Sequence, residues 1–213
     1  MMEITDKLKQ HTKEIHDIML LAQSSFKIVD YLTREREGFE INIVNHSLYF
    51  KYSAEVNWRI YVIEMAKLFS TSHKAHWFNL NRFIEKFKPG GEYASVREID
   101  HYSVKIWEQN LDLEKIKIEN LLKQRDKLYS HTDKNRANIK NELTYLEARE
   151  LLNIVKRILS EIYASVFDEF RLYDLSTEPV DDLKKLIKEL SLLEQARIDY
   201  LLQHAKDKEI DLE

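Results

Sequence analysis

The spacing of apolar residues along the chain predicts six helices. Apolar side chains recur every three or four residues through most of the sequence, which places them on one face of an α-helix. Gly38 follows the first such stretch, and Lys88-Pro89-Gly90-Gly91 follows the third. The predicted helices cover about residues 5–36, 43–69, 72–87, 95–129, 144–172 and 179–205, with a weak point near 110–112 in the fourth.

Three predicted helices begin with residues that favour a helix start. Ser95 with Glu98, and Thr144 with Glu147, have the spacing of a capping box. Pro179 suits the first turn of the last helix, because a first-turn residue needs no amide donor. These signals fix three of the six predicted starts.

The apolar stripes predict which side chains form the core. The first helix contributes Ile15, Ile18, Met19, Ala22, Phe26 and Val29, and the long fifth helix contributes Leu151, Ile154, Val155, Ile158, Leu159, Ile162 and Val166. The second helix carries the widest stripe, and we expect it to lie deep in a bundle: Tyr49, Tyr52, Val56, Ile60, Val62, Ile63, Met65, Ala66 and Leu68.

Composition narrows the fold class. Only 3 Gly and 2 Pro occur in 213 residues, too few for the turns of a β-sandwich, a barrel or a doubly wound sheet. The absence of Cys excludes disulfides, thiolate zinc sites, iron–sulfur clusters and a Cys nucleophile. We therefore predict an all-α protein, an antiparallel helical bundle of about six helices forming a single domain over residues 1–213.

The first residues and the hydropathy of the chain bear on location. The start, Met1 to Lys7, is polar and acidic, unlike a secretory signal peptide. Apolar runs stay short of the roughly 18 residues of a membrane span. We expect a cytoplasmic protein with no membrane partner.

Basic residues concentrate in one segment of an otherwise acidic chain. The net charge is −4, yet residues 115–140 contain eight basic and three acidic side chains. Such a segment suits a phosphate-bearing partner. A solvated helix face would have the same composition, so charge alone does not identify the partner.

A motif lies within the basic segment. Arg125 and His131 are separated by five residues, and the polar Asp126 follows the arginine. This arrangement resembles the Arg-x(4–6)-His motif of the HEPN superfamily, the higher eukaryote and prokaryote nucleotide-binding helical domains. The run Arg-Asp-Lys-Leu-Tyr-Ser-His-Thr-Asp is most similar to the abortive-infection U type branch. The resemblance covers about residues 41–170, a HEPN-like core to which helices 5–36 and 179–205 are additions.

The spacing is informative only in its context. Arg197 and His204 also satisfy it, but they lie inside the predicted last helix without a polar break, and we interpret them as a coincidence. Arg125 instead ends an amphipathic helix, and His131 falls where the apolar periodicity fails. A capped helix follows at Thr144.

The resemblance implies a metal-independent endoribonuclease acting in a toxin–antitoxin system or phage defence. RNA cleavage by the neighbouring 2′-OH needs a proton-transfer group, a role for His131, and a fixed cation at the phosphate, a role for Arg125. Asp126, Tyr129 and Ser130 are candidate supporting groups. Candidate phosphate or RNA contacts are Lys123, Lys127, Lys134 and Arg136. Neither a metal nor another cofactor is expected.

The helical phase of the motif predicts a shared site. Six steps along a helix leave Arg125 and His131 roughly 120° apart, so either the helix unwinds or a second subunit completes the site. The resemblance implies the second arrangement, in a homodimer, with an antitoxin protein as a further partner. Asp133 stands where the toxin branch paired with a nucleotidyltransferase has an adenylylated Tyr, so we do not expect that regulation.

Two other functions fit the same residues. The chain could keep the fold and bind RNA or a nucleotide without turnover, or it could be a helical interaction protein. A metal site at His73 and His76 lacks an evident third ligand. Structural roles are expected for four histidines and for the tryptophans. The histidines are His11, His16, His46 and His101, and the tryptophans are Trp58, Trp77 and Trp107.

Overall fold

The computed structural model describes residues 3–70, 78–126, 143–170 and 179–210, with side chains up to residue 205. Within these ranges the chain is helical and contains no strand, so the all-α prediction is confirmed. The described helices number eight: α1 (Ile4–Thr33), α2 (Phe39–His46), α3 (Leu48–Phe69), α4 (Leu80–Glu85), α5 (His101–Leu113), α6 (Lys115–Gln124), α7 (Tyr145–Phe167) and α8 (Pro179–Ile210). None of these helices has both the length and the apolar character of a membrane span.

Two breaks raise the helix count from six to eight. Ser47 has an extended backbone, with φ −77° and ψ 118°, and its hydroxyl accepts a hydrogen bond from the Phe50 amide at 3.3 Å. The single predicted helix over 43–69 is therefore wrong, because Ser47 ends α2 and caps α3. The second break lies at Glu114, close to the weak point predicted near 110–112.

Helix α1 ends three residues earlier than predicted, at Thr33 rather than residue 36. The Arg36 guanidinium folds back and donates hydrogen bonds to the carbonyls of Tyr31, Leu32 and Arg34. These contacts satisfy carbonyls that a helix end leaves without amide donors. The Arg36 side chain therefore supplies hydrogen bonds that the backbone amides of a longer helix would otherwise donate.

The fourth helix begins later than predicted, at His101, and the described part of the third predicted helix is α4, because residues 71–77 lie outside the described ranges. The Asn79 side chain caps α4, accepting a hydrogen bond from the Arg82 amide at 3.1 Å, and α4 ends at Glu85. The capping box predicted at Ser95 does not form, since residues 92–95 and 97–98 are turns. Asp100 caps α5 instead and accepts from the Ser103 amide at 2.7 Å. Asp is among the preferred N-cap residues, so α5 begins directly after Asp100.

The predicted start of α7 is confirmed in atomic detail. Thr144 Oγ1 accepts from the Glu147 amide at 3.3 Å, and Glu147 Oε2 accepts from the Thr144 amide at 2.7 Å. The helix ends at Phe167, before the predicted residue 172, because Asp168 takes a left-handed conformation with φ 51°. Helix α8 begins at Pro179 as predicted.

The contacts divide the chain into two compact units. The first comprises Met1–Phe26 and Trp58–Ser176, and the second comprises Lys27–Asn57 and Thr177–Glu213. The boundaries fall inside α1 and α3, so each of these helices contributes to both units. The division into a core of 41–170 with added helices stays a prediction.

In the first unit, the predicted stripes of α1 and α7 form the core. Ile15, Met19 and Ala22 are fully buried, as are Leu151 and Val155. Tyr61 Oη donates a 2.6 Å hydrogen bond to the Ala148 carbonyl, and Trp107 Nε1 donates one of 2.7 Å to Glu161. These bonds connect α3 and α5 to α7. Trp58 and Trp107 are buried as expected, whereas Trp77 lies outside the described residues.

The second unit has a smaller core, in which α8 packs against α2. Its buried members are Tyr31, Leu32, Val44, Phe50, Val180 and Ile187. Tyr49 and Tyr52 are 68% and 65% exposed, which corrects the prediction that this part of α3 lies deep in a bundle. The helix restarts after Ser47. In this new helix Phe50 and Ala54 face the core, and Tyr49 and Tyr52 face the solvent.

Candidate functional site

Helix α6 carries the arginine of the motif at its C-terminal end. Leu121 is fully buried and α6 packs against α5 and α7, which anchors this end of the helix. Arg125 keeps a helical backbone, with φ −55° and ψ −51°, and the chain widens into a π-helical turn at Arg125 and Asp126. Such turns occur frequently at functional sites.

Arg125 lies against the residue that follows it. Its Nε atom is 2.6 Å from Oδ1 of Asp126, and the two side chains are 21% and 54% exposed. The contact is an ion pair whose angle is not that of a hydrogen bond, so Arg125 Nε is buried without a hydrogen-bond partner among the described residues. The guanidinium is therefore held close to the helix by charge attraction.

Gln124 is an unexpected feature of the same turn. The side chain is 3% exposed, and neither its Oε1 nor its Nε2 has a hydrogen-bond partner within the part of the chain that the structure describes. An unsatisfied buried polar group costs roughly 1–3 kcal/mol. The sequence interpretation missed this residue, although its position three residues after the buried Leu121 predicts that it faces inward.

Lys117, also part of the basic segment, is held by carboxylates. Its Nζ lies 2.5 Å from Glu114 Oε2 and 2.6 Å from Glu150 Oε2. Hydrogen bonds with Glu114 and then with Glu150 raise the pKa of the Lys117 ammonium. The contact with Glu150 connects α6 to α7. Lys117 therefore has a structural role, and we do not count it among the candidate phosphate contacts.

The structure brings together only part of the predicted site. Arg125 and Asp126 are in contact, and the exposed Lys123 lies on the same helix. The remaining predicted residues lie outside the described ranges: Lys127, Tyr129, Ser130, His131, Lys134 and Arg136. The approach of His131 to Arg125 stays a prediction.

A second group of titratable residues surrounds His11 on α1. His11 is buried, and its Nδ1 lies 3.1 Å from the Tyr93 hydroxyl. Burial raises the pKa of Tyr93 to about 12. The His11 ring also packs edge-on against Phe83, at 4.7 Å between centroids. These contacts agree with the structural role expected for His11.

A cleft with a volume of about 470 Å³ opens beside His11. Lys86 Nζ lies 2.9 Å from Glu92 Oε2, and Lys7 Nζ lies 3.4 Å from Glu92 Oε1. The Lys86 hydrogen bond, with a smaller contribution from Lys7, holds the pKa of Glu92 below its usual value. The two ammonium groups therefore already share a carboxylate, which distinguishes this cleft from an open phosphate site.

The second copy of the motif spacing has local contacts on α8. Arg197 lies 3.5 Å from Glu194, and His204 Nδ1 lies 3.2 Å from the Tyr200 carbonyl. Both residues are exposed, on an uninterrupted helix. This setting differs from the end of α6, where Arg125 is largely buried in a widened turn.

Neither a metal-ligand cluster nor a known protein accounts for these features. In the described ranges, no three His, Asp or Glu side chains converge as metal ligands would. Comparison with protein-family models, curated proteins and solved structures found no match. The functional assignment therefore depends on the residues themselves.

Proposed function

We propose that this chain is a cytoplasmic, metal-independent endoribonuclease of the HEPN type that acts in a toxin–antitoxin system or in phage defence. The observation that carries the proposal is the largely buried Arg125 in a widened turn at the end of α6, held by Asp126. The arginine, the polar residue after it and the distance to His131 in the sequence all agree with the motif.

The chemistry follows from the residue types. The 2′-oxygen of RNA attacks the adjacent phosphorus, forming the P–O2′ bond while the P–O5′ bond breaks. In this mechanism His131 accepts the 2′-OH proton, and a proton is delivered to the departing 5′-oxygen. The products are a 2′,3′-cyclic phosphate and a 5′-OH. Arg125 stabilises the charge on the non-bridging oxygens through charge-assisted hydrogen bonds.

The position of Arg125 suits a stabilising role. A guanidinium that is held before substrate arrives loses less conformational entropy on binding than one on a free side chain. Asp126 supplies that restraint. Lys123 turns about 200° away from Arg125 on the helix. We therefore assign Lys123 to a flanking phosphate rather than to the phosphate that is cleaved.

The proposal includes a homodimer in which the two motifs form a composite site. The roughly 120° between Arg125 and His131 on one continuous helix favours residues contributed by two chains. Tyr129 and Ser130 would orient the substrate, with Lys127, Lys134 and Arg136 along the RNA backbone. An antitoxin protein is the further partner in this proposal.

A binding module without turnover is the second candidate, and the Arg125–Asp126 ion pair is the observation that favours it. A guanidinium paired with a carboxylate offers less positive charge to a transition state than a free one. Such a site could still bind a phosphate that displaces Asp126. The two candidates differ in turnover and share the dependence of RNA binding on Arg125.

The experiment incubates the purified full chain with single-stranded and structured RNA in EDTA. The nuclease proposal predicts cleavage, with fragments that carry a 5′-OH that polynucleotide kinase labels without prior phosphatase treatment. Binding without cleavage, weakened by Arg125→Ala, would favour the module. If neither the single-stranded nor the structured RNA is bound or cut, in EDTA or with Mg²⁺ added, both the nuclease and the binding-module proposals are contradicted.

A further inference from the structure

Helix α8 exposes an apolar stripe on the second unit. Leu186, Leu193 and Tyr200 are spaced by seven residues and are 45%, 66% and 59% exposed. Seven residues are close to two helical turns, so these side chains lie in one row. Ile187, which is fully buried in the core of the unit, points about 100° away from Leu186. The row therefore lies beside the face that α8 packs against α2, whose partly buried Leu190 is about 40° from Leu186.

Two opposite charges lie within the same row. Glu189 and Arg197 are four residues before and four residues after Leu193, so each lies about 40° from it around the helix. The order of the row is Leu186, Glu189, Leu193, Arg197 and Tyr200. An apolar residue at the centre, an acid on one side and a base on the other make a surface that is complementary to itself when reversed.

We propose that this row pairs with the α8 row of a second copy of the chain, in antiparallel orientation. With Leu193 against Leu193 of the second copy, Leu186 lies level with Tyr200, and Glu189 lies level with Arg197, diagonally across the row. The paired segment from 186 to 200 is about 22 Å long at 1.5 Å per residue. The contact is isologous, so it closes as a dimer with a twofold axis at Leu193.

Charge complementarity selects both the occupant and the direction. A parallel pair in register would place Glu189 against Glu189 and Arg197 against Arg197, which is repulsive. The antiparallel pair instead makes two opposite-charge contacts beside an apolar centre. Within one chain, Arg197 has only an exposed contact of 3.5 Å with Glu194 among its described ion pairs, and such contacts are weak enough to exchange.

Because the chain contains no Cys, a single introduced thiol can form a disulfide only with the same thiol of another copy. Leu193→Cys places one thiol on the proposed twofold axis, and Leu202→Cys places one on the opposite side of α8. Both positions are exposed, at 66% and 57%. Under mild oxidation of the full-length protein, the proposal predicts a disulfide-linked dimer for Leu193→Cys and a monomer on non-reducing gels for Leu202→Cys. Equal cross-linking of both variants, or of neither, would overturn the proposal.

Orientation has its own test. Leu186→Cys mixed with Tyr200→Cys should cross-link, whereas each variant alone should stay uncrosslinked. Self-cross-linking of Leu186→Cys would show a parallel pair and would overturn the assigned orientation. Leu193→Glu should lower the mass measured by light scattering, with Leu202→Glu as the control. Helicity should be unchanged, because both side chains are exposed.

The charge pair provides a rescue. Glu189→Arg and Arg197→Glu should each weaken dimerisation at least several-fold, and the double variant should restore it. This inference uses residues of the second unit alone, and its cysteine and charge variants are read without a nuclease assay. Only a chain that is monomeric throughout would also contradict the composite site of the nuclease proposal. A wild-type chain that stays monomeric at high micromolar concentration would overturn it and assign the row to a different protein.

Discussion

Arg125 is held by its own neighbour in the sequence, with Nε of the guanidinium 2.6 Å from Oδ1 of Asp126. Adjacent residues on a helix point about 100° apart, so this contact requires both side chains to bend toward each other. The contact lies within the widened turn that these two residues form. The carboxylate both positions the arginine and competes with any phosphate for it.

Replacing Asp126 should separate these two effects. Asp126→Asn removes a negative charge and releases the guanidinium, so we expect RNA to bind a few-fold more tightly while the cleavage rate falls about 10-fold. Glu119→Gln is the matched control, an exposed acid of α6 whose loss changes the charge alone. Equal changes in rate for the two variants would show that Asp126 has no positioning role.

Gln124 should limit the stability of the fold. Gln124→Met keeps the size of the side chain and removes two buried polar atoms that lack partners in the described structure, so we expect a gain of about 1 kcal/mol in the free energy of unfolding. Urea unfolding measures the gain. Gln109→Met on α5, which is exposed, should change it by less than about 0.5 kcal/mol. A destabilised Gln124→Met would indicate that the amide makes contacts in the folded chain.

A composite site predicts complementation between inactive chains. Arg125→Ala and His131→Ala, co-expressed so that dimers mix at random, should regain about a quarter of wild-type cleavage. Half of the dimers are then mixed, and each has one of its two sites intact. Each variant expressed alone should be inactive. A mixed preparation with no more activity than either variant would place Arg125 and His131 in one chain.

Tyr93 should make the fold sensitive to alkaline pH. Its pKa is raised to about 12 in the folded protein, whereas an unfolded tyrosine titrates near 10. Between these values the unfolded chain binds fewer protons, so stability falls as pH rises from about 10 toward 12. Tyr93→Phe should be less stable than wild type at pH 8, by about 1 kcal/mol for the lost hydrogen bond, and this gap should narrow by pH 11.

Urea midpoints between pH 8 and 11 measure this effect. Tyr102→Phe is the control, because Tyr102 is 70% exposed and its loss removes no buried hydroxyl. The Tyr102→Phe variant should follow the wild-type curve. A Tyr93→Phe curve that stays parallel to wild type would show that Tyr93 ionises normally in the folded chain.

The sequence predicted the helices better than their ends. The fold class and the stripes of α1 and α7 follow from periodicity, because a buried face needs apolar residues at helical spacing. The break at Ser47 and the early end of α1 did not follow. They depend on single side chains, the Ser47 hydroxyl and the Arg36 guanidinium, which replace backbone hydrogen bonds without a change in the apolar pattern.

The candidate site shows the same division. The motif predicted a site containing Arg125 and Asp126, and the contact between these two side chains is a local consequence of their adjacency. Gln124 was missed because a glutamine on a mostly polar helix carries no signal for burial in its type, only in its spacing from Leu121. The self-complementary row on α8 needed the exposure of each side chain, which periodicity alone does not give.

The cleavage rate in EDTA tests the central claim most directly. With matched protein concentrations and one RNA substrate, His131→Ala should cleave about 10² to 10⁴-fold more slowly than His101→Ala, in which an exposed histidine is lost. Arg125→Ala should show a similar deficit against Arg97→Ala, the loss of an exposed arginine in a turn. Equal rates within either pair, or a wild-type activity that EDTA abolishes, would contradict a metal-independent site built on Arg125 and His131.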